Sequence, residues 1–316
     1  MLAIVCPGQG SQTPGFLAPW LELDGVREQL TALGLAAGHD LVAHGTESDA
    51  ETIKDTAVAQ PLIVAAGLVT ASALFASHAE LAGTGAVLAG HSVGELTATA
   101  LAGVVTDEQA ISLVATRGRA MAEASAVTPT GMAAVLGGDP DEVLAALEAH
   151  GLTPANINGA GQVVAAGTLE QVEALRGAPP AKARVIPLQV AGAFHTSHMS
   201  PAVDALAAAA EDVTPSAPTL RLLSNADGAT VADGPDALDR LVRQVSNPVR
   251  WDRCMETMLA LGVTGLVELA PAGTLVGLAK RAMPGVETLA VKTPDDLEAA
   301  RTLVATHATP STESAP

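Results

Sequence analysis

The run Gly90-His91-Ser92-Val93-Gly94 places a serine between two glycines, the G-x-S-x-G spacing of a nucleophile elbow. A serine of this kind stands on a sharp strand-to-helix turn, with its hydroxyl projecting from the end of a sheet. The helix that follows supplies amide N–H groups and a dipole that favour developing negative charge. The backbone N–H of Val93 is the expected first donor of an oxyanion hole. The chemistry is acyl transfer through a seryl ester, and the remaining residues must decide whether water or another group accepts the acyl unit.

A serine nucleophile needs a base. His39, His44, His78, His150 and His307 fall in turns, at helix ends or near the C-terminus, where solvated surface accounts for them. His195 and His198 lie in a Gly-Ala-Phe-His loop downstream of the serine, in the chain order of hydrolase-type elbows. Spacing alone leaves both open. For an acid behind the histidine, Asp204, Asp212, Asp227, Asp233, Asp236 and Asp239 are available by position, and none has a distinctive setting. A backbone carbonyl would also fix the imidazole tautomer, although it stabilises imidazolium less than a carboxylate does. Arg117 introduces a second kind of chemistry. It shares an apolar stripe with Ala110, Leu113, Val114 and Met121, whereas Arg119 falls on the opposite side of the same helix. A guanidinium on a core-facing stripe requires an anionic partner. The His195-x-x-His198 pair lacks a third ligand and no H-E-x-x-H occurs, so no metal is expected.

The elements that must position these groups are legible. Residues 86–90 read as a strand entering Ser92, and 95–105 as a helix leaving it. The next helix opens at Thr106, with Gln109 completing a capping box, and carries the Arg117 stripe. Residues 2–6 form a short buried strand that runs into Pro7-Gly8-Gln9-Gly10, where Thr13 occupies the third glycine position of a dinucleotide fingerprint and so excludes it. Residues 125–131 read as a linker. From there to 190 the order is β-α-β-β-α-β, with Asp139-Pro140 opening the first helix, Gly151 beyond its end, and a capping box at Thr168 and Gln171 opening the second. After 191, helices from Ser200-Pro201, over 248–262 and over 274–283 are joined by strands at 265–271 and 287–291. The expected fold class is α/β: a hydrolase-like core domain with a mainly parallel sheet, discontinuous over 1–124 and 191–303, a ferredoxin-like (βαββαβ) subdomain inserted at 125–190, and a disordered tail at 304–316.

Composition narrows the function classes. The 316 residues carry 34 Asp plus Glu against 16 Lys plus Arg, a formal net charge of −18, and only 2% aromatics with no tyrosine. Such a chain repels polyphosphate and lacks a base-stacking platform, so nucleic acid is excluded as a partner. Cys6 and Cys254 sit far apart in apolar segments, which gives no disulfide framework and points to a reducing cytoplasm. The N-terminal run has no basic region ahead of its apolar stretch and does not read as a signal peptide. Residues 56–77 carry no charge, but Gln60, Pro61, Thr70 and Ser72 within them favour a buried helix over a membrane span.

Five motifs together carry a family resemblance: "PGQGSQ" at 7–12, "GHSVGE" at 90–95, "RGRAM" at 117–121, "GAFH" at 192–195 and "QVSNPVRW" at 244–251. In this order and spacing they resemble malonyl-CoA:acyl carrier protein transacylases and the acyltransferase domains of fatty-acid and polyketide synthases. "ANINGAGQVVAAG" at 155–167 is similar to that family's insert, so the resemblance reaches from the N-terminus to about residue 300. It implies that Ser92 forms the malonyl ester, that His195 is the base, and that the backbone carbonyl of Gln244 orients His195 in place of an acid. It further implies an oxyanion hole from the N–H groups of Gln9 and Val93, and a bidentate grip of Arg117 on the malonyl carboxylate. Val93 and Phe194 match the malonyl-type rather than the methylmalonyl-type pattern. Phe194, His91, Asn156 and Asn158 are expected near the substrate, and His198 outside the reacting groups. The implied substrates are malonyl-CoA and the phosphopantetheine arm of acyl carrier protein, exchanged by a ping-pong route with no bound cofactor. The resemblance leans towards a monomer. Because carrier proteins are acidic, docking on this chain calls for a local basic patch, with Arg184, Arg243, Arg250, Arg253, Lys280 and Arg281 as candidates. Two rivals stand beside this reading: a serine esterase or thioesterase, favoured by an acid behind His195 and no cation facing the acyl pocket, and a non-catalytic scaffold, disfavoured by the joint presence of Ser92, His195 and Arg117.

Overall fold

The computed structural model describes residues 1–309. Nine strands appear among them: β1 (Leu2–Cys6), β2 (Val87–Gly90), β3 (Thr130–Gly137), β4 (Thr153–Gly159), β5 (Gln162–Thr168), β6 (Ala183–Pro187), β7 (Arg221–Leu222), β8 (Gly265–Glu268) and β9 (Glu287–Ala290). The α-helices are α1 (Val26–Ala37), α2 (Leu41–Thr46), α3 (Thr56–Leu74), α4 (His78–Gly83), α5 (Gly94–Leu101), α6 (Asp107–Val127), α7 (Pro140–Ala149), α8 (Leu169–Gly177), α9 (Ser200–Glu211), α10 (Gly234–Gln244), α11 (Trp251–Ala260), α12 (Thr274–Ala282) and α13 (Leu297–His307). The architecture is mixed α/β, with two separate sheets.

The first sheet has five parallel strands in the order β7-β2-β1-β8-β9. Alternation along β1 sends Leu2, Ile4 and Cys6 into one apolar cluster and Ala3 and Val5 into another, so both faces of the sheet are covered. On the first face lies α3, buried nearly all round and packed against α5 and α6. Its length and composition would suffice to cross a membrane, but here it is a core helix. On the second face, α11 and α12 contribute Trp251, Cys254, Met255, Leu275 and Leu278.

The second sheet is antiparallel, in the order β4-β5-β3-β6, and buries its own small core against α7 and α8. Its elements follow one another as β3-α7-β4-β5-α8-β6. A parallel bridge between Asn156 and Val249 ties β4 of this sheet to the loop that leads into α11. There the Ile157 N–H donates to the Val249 carbonyl at 2.9 Å and the Val249 N–H to the Ala155 carbonyl at 2.9 Å.

Local signals act as anticipated at the helix starts. Thr106 and Gln109 cap each other's backbone N–H groups at 3.1 and 2.9 Å, and Thr168 and Gln171 do so at 3.2 and 2.9 Å. Three expectations need correction. The linker expected at 125–131 shrinks to residues 128–129: α6 runs on to Val127 and β3 begins at Thr130, because Ala124 and Ser125 are buried and hold the last turn of α6 in the core. The tail does not begin at 304, since α13 extends to His307, whose ring packs on the β8 glycine Gly265 and bonds Glu287 at 3.0 Å. Residues 310–316, the rest of that expected tail, lie outside the described residues. Third, β7 and α10 were not anticipated at all.

Candidate active site

The site forms at the carboxyl ends of β1 and β2, where a parallel α/β sheet leaves its ligand crevice. Cys6 and Gly90 are register partners, so the loops that follow them, 7–12 and 91–93, run side by side. Three glycines make this approach possible. A Cβ on Gly90 would come within 2.0 Å of the Gly94 carbonyl carbon, one on Gly94 within 2.2 Å of the Cys6 carbonyl oxygen, and one on Gly8 within 2.9 Å of the His91 carbonyl oxygen. The turn forces Ser92 into the left-handed region at φ 53°, a conformation that costs a non-glycine residue about 1–3 kcal/mol and persists only where surrounding contacts impose it. Those contacts are explicit: the His91 N–H donates to the Cys6 carbonyl at 2.9 Å, and the Ser92 N–H to Asn225 Oδ1 at 2.8 Å.

His195 also has a positive φ, 60°. Its loop is clamped by the Ala193 N–H on Thr130 Oγ1 at 3.0 Å and by the Thr196 hydroxyl on the Ala193 carbonyl at 2.7 Å. His195 Nε2 lies 2.7 Å from Ser92 Oγ, and Nδ1 lies 2.8 Å from the Gln244 carbonyl oxygen. A carbonyl only accepts, so Nδ1 carries the proton and Nε2 presents its lone pair to the serine hydroxyl. Burial, and then the positive charge of Arg117, lower the His195 pKa to about 3. The imidazole is therefore neutral and able to act as a base.

Arg117 is buried on α6, as its stripe requires, and Arg119 is exposed. Its guanidinium donates to Gln60 Oε1 at 2.6 Å, to Gln244 Oε1 at 3.0 Å and to Ser92 Oγ at 3.3 Å. Burial lowers its pKa to about 10, against the opposing charge of Glu95. None of the ion pairs among the described residues includes it. Its charge thus rests on two neutral amide oxygens and the serine hydroxyl.

The other anticipated residues fall around this centre. Gln9 and Val93 stand on the two adjoining loops, and among the described residues neither backbone N–H donates to another group of the protein. His91 Nε2 meets Asn158 Oδ1 at 2.9 Å, and its ring stands edge-on to Trp251 at 5.7 Å. Burial lowers the His91 pKa as well. Asn156 is buried at the bridge from β4 to Val249, and Phe194 packs into the main core beside His195. His198 sits in a short turn beyond the base. No aspartate on the earlier slate reaches His195. Asp233 caps α10 by accepting the Asp236 N–H, Asp227 and Asp236 pair with Arg240, and Asp239 pairs with Arg243. Of the basic docking candidates, Arg243, Arg250 and Arg253 are paired with Asp239, Asp252 and Glu256, whereas Arg184, Lys280 and Arg281 take part in none of the ion pairs among the described residues.

Four contributions escaped sequence reasoning: Gln60, Glu95, Asn225 and the side chain of Gln244. Asn225 is completely buried; its Nδ2 donates to the Gly90 carbonyl at 2.7 Å while its Oδ1 holds the Ser92 amide. Gln244 Nε2 donates to Glu95 Oε2 and, at 3.1 Å, to Asn225 Oδ1. One signal was present, since Glu95 is a charged residue opening a helix whose other residues are small or apolar.

Comparison with known proteins follows the same lines. The acyl transferase domain family matches residues 3–294. The chain is 54% identical over 298 residues to a malonyl CoA-acyl carrier protein transacylase of Mycobacterium tuberculosis, covering 94% of this chain and 98% of that one. It is 38% identical over 306 residues to the enzyme of that name from Escherichia coli, covering 94% and 98%. Among solved structures, MCAT from Mycobacterium tuberculosis superposes with a TM-score of 0.92 at 53% identity, covering 95% of this chain and 99% of that one. A malonyl-transacylase solved in complex with a holo type II PKS acyl carrier protein gives 0.87 at 32% identity, covering 95% and 99%.

Proposed function

Because the chain belongs to the acyl transferase domain family, we propose that it is a malonyl-CoA:acyl carrier protein transacylase that works through a malonyl-Ser92 ester. The observation that carries this reading is the buried Arg117 guanidinium, 3.3 Å from Ser92 Oγ and without an ion-pair partner. An acyl group ending in a carboxylate would place its anion there while its thioester carbon meets the serine.

In the first half-reaction Ser92 Oγ bonds to the thioester carbon as its proton passes to His195 Nε2. The tetrahedral oxyanion is held by the N–H groups of Gln9 and Val93. The carbon–sulfur bond then breaks, and His195 gives the proton to the departing CoA sulfur. In the second, the phosphopantetheine thiol loses its proton to His195 and its sulfur bonds to the ester carbon. The bond to Ser92 Oγ breaks and the proton returns to that oxygen. The neutral Gln244 carbonyl supports imidazolium only weakly, which suits a thiol acceptor far better than water, a much weaker acid. In this reading the five-stranded body is hydrolase-like, the inserted unit is ferredoxin-like, and the fatty-acid or polyketide carrier docks through Arg184, Lys280 and Arg281.

The test is to label the protein with radioactive malonyl-CoA and chase with holo carrier protein or with buffer alone. Label should attach to wild type and not to Ser92→Ala, and should leave promptly only with carrier protein. Prompt loss into buffer would instead make the protein a hydrolase.

A further inference from the structure

Glu95 is a buried carboxyl that the steps above do not use. It opens α5 directly beneath the elbow, and 4% of it is exposed. One oxygen accepts the Asn225 backbone N–H and the other accepts Gln244 Nε2. The oxygen of that same Gln244 amide accepts from Arg117 at 3.0 Å. A single side-chain amide therefore stands between the carboxyl and the guanidinium, its N–H end towards Glu95 and its C=O end towards Arg117. The dipole is oriented as a relay between opposite charges.

We propose that Glu95 is a positioning residue that balances Arg117 through the Gln244 amide, and that an acyl group bearing a carboxylate binds Arg117 together with one proton taken up by Glu95. The inference rests on the acyl-carboxylate reading of Arg117. With the site empty and the pH high enough to ionise Glu95, guanidinium and carboxylate neutralise one another. A second carboxylate arriving at Arg117 leaves the buried cluster with a net negative charge, and two anions sharing one cation raise each other's proton affinity.

The groups facing Glu95 are few. Arg117 approaches from α6, Arg240 from α10 and the Cys254 thiol from α11, with the Ser224 hydroxyl and Asn225 amide alongside. Arg240 is already engaged by Asp227 and Asp236, which leaves Arg117 as the cation that the substrate perturbs. Burial raises the Glu95 pKa to about 8, against the backbone bond from Asn225 and the charge of Arg117. Below that pH Glu95 already holds the proton and malonyl-CoA binding is pH-independent. Above it, binding must draw a proton from solvent, so KM climbs about tenfold per pH unit.

The experiment is calorimetry of malonyl-CoA and acetyl-CoA binding to the intact Ser92→Ala protein near pH 8.5, in two buffers of different ionisation enthalpy. The expected result is an excess proton uptake for malonyl-CoA over acetyl-CoA, which cancels ionisation of the shared CoA phosphates. In addition, the malonyl-CoA KM of the Ser92-containing enzyme should rise from pH 8 to 9, below the Arg117 pKa of about 10, and rise much less in Glu95→Gln over the same range. Malonyl-CoA binding with no excess uptake overturns the role of Glu95 while leaving the transferase reading intact. Failure of malonyl-CoA to bind more tightly than acetyl-CoA would overturn the Arg117 reading, and this inference with it. If Glu95→Gln does not fold, the proton count remains decisive.

Discussion

Glu95 and Glu268 are both buried carboxyls at the upper rim of the parallel sheet, on opposite sides of β1, and burial raises the pKa of each. Their partners differ in kind. Glu268, at the end of β8, accepts the backbone N–H groups of Gly273, Leu275 and Val276 at 2.9, 3.0 and 2.8 Å, closing the start of α12. Glu95 accepts one backbone N–H and one side-chain amide, and that amide leads on to Arg117. A carboxyl bound by main chain is fixed by the fold and serves it. A carboxyl bound through a side chain belongs to a network that a ligand can rearrange.

That contrast can be broken from either side. The largest effect is expected at the ligand end: Arg117→Ala should lower malonyl transfer about 10²–10³-fold, the loss of a buried charge-assisted pair worth roughly 3–4 kcal/mol. Acetyl transfer should fall far less, and comparable losses on both substrates would remove Arg117 as the carboxylate grip. At the other carboxyl, Glu268→Ala should cost about 2–4 kcal/mol of stability by orphaning three N–H groups at a helix start. Its urea midpoint should drop while transfer per folded molecule stays at the wild-type rate. A Glu268 variant that folds normally but transfers slowly would erase the distinction between the two glutamates.

The smallest effect concerns protons at the base. His195 is held neutral down to about pH 3 by burial and Arg117, so the rate of serine acylation should stay level from pH 8 to about 5. A rate that halves near pH 6.5 would place the imidazole in a solvated site. The same shift has a sign for folding. The unfolded chain binds this proton below about pH 6.5 and the folded one only near 3, so His195 withdraws stability as pH falls through that window.

What the sequence made legible was local. Gly90 and Gly94 announced the elbow because each stands where a Cβ would strike backbone. Arg117 declared itself through helical spacing on a buried stripe, and the capping boxes gave helix starts to the residue. His195 was separated from His198 only by the family resemblance, since both lie in one loop and nothing in their spacing says which reaches Ser92. The supports were illegible because they are encounters between distant segments. Gln60 lies 57 residues from Arg117, and Asn225 lies 133 from Ser92. In sequence, Gln60 looked only like a polar interruption of an apolar helix. The aspartates at 233, 236 and 239, weighed as acids, proved to belong to a helix that had gone unrecognised, although Asp233 and Pro235 mark its start.

The bridge between β4 and Val249 bears on the base from a distance. Val249 is stitched to the small sheet on both sides, and five residues earlier the same segment carries the Gln244 carbonyl that aligns His195. The imidazole thus takes its bearing from a seam between the small sheet and the loop entering α11 rather than from its own loop. Tilting the small sheet would turn that carbonyl like a key on a short shaft, and with it the acceptor that fixes the imidazole.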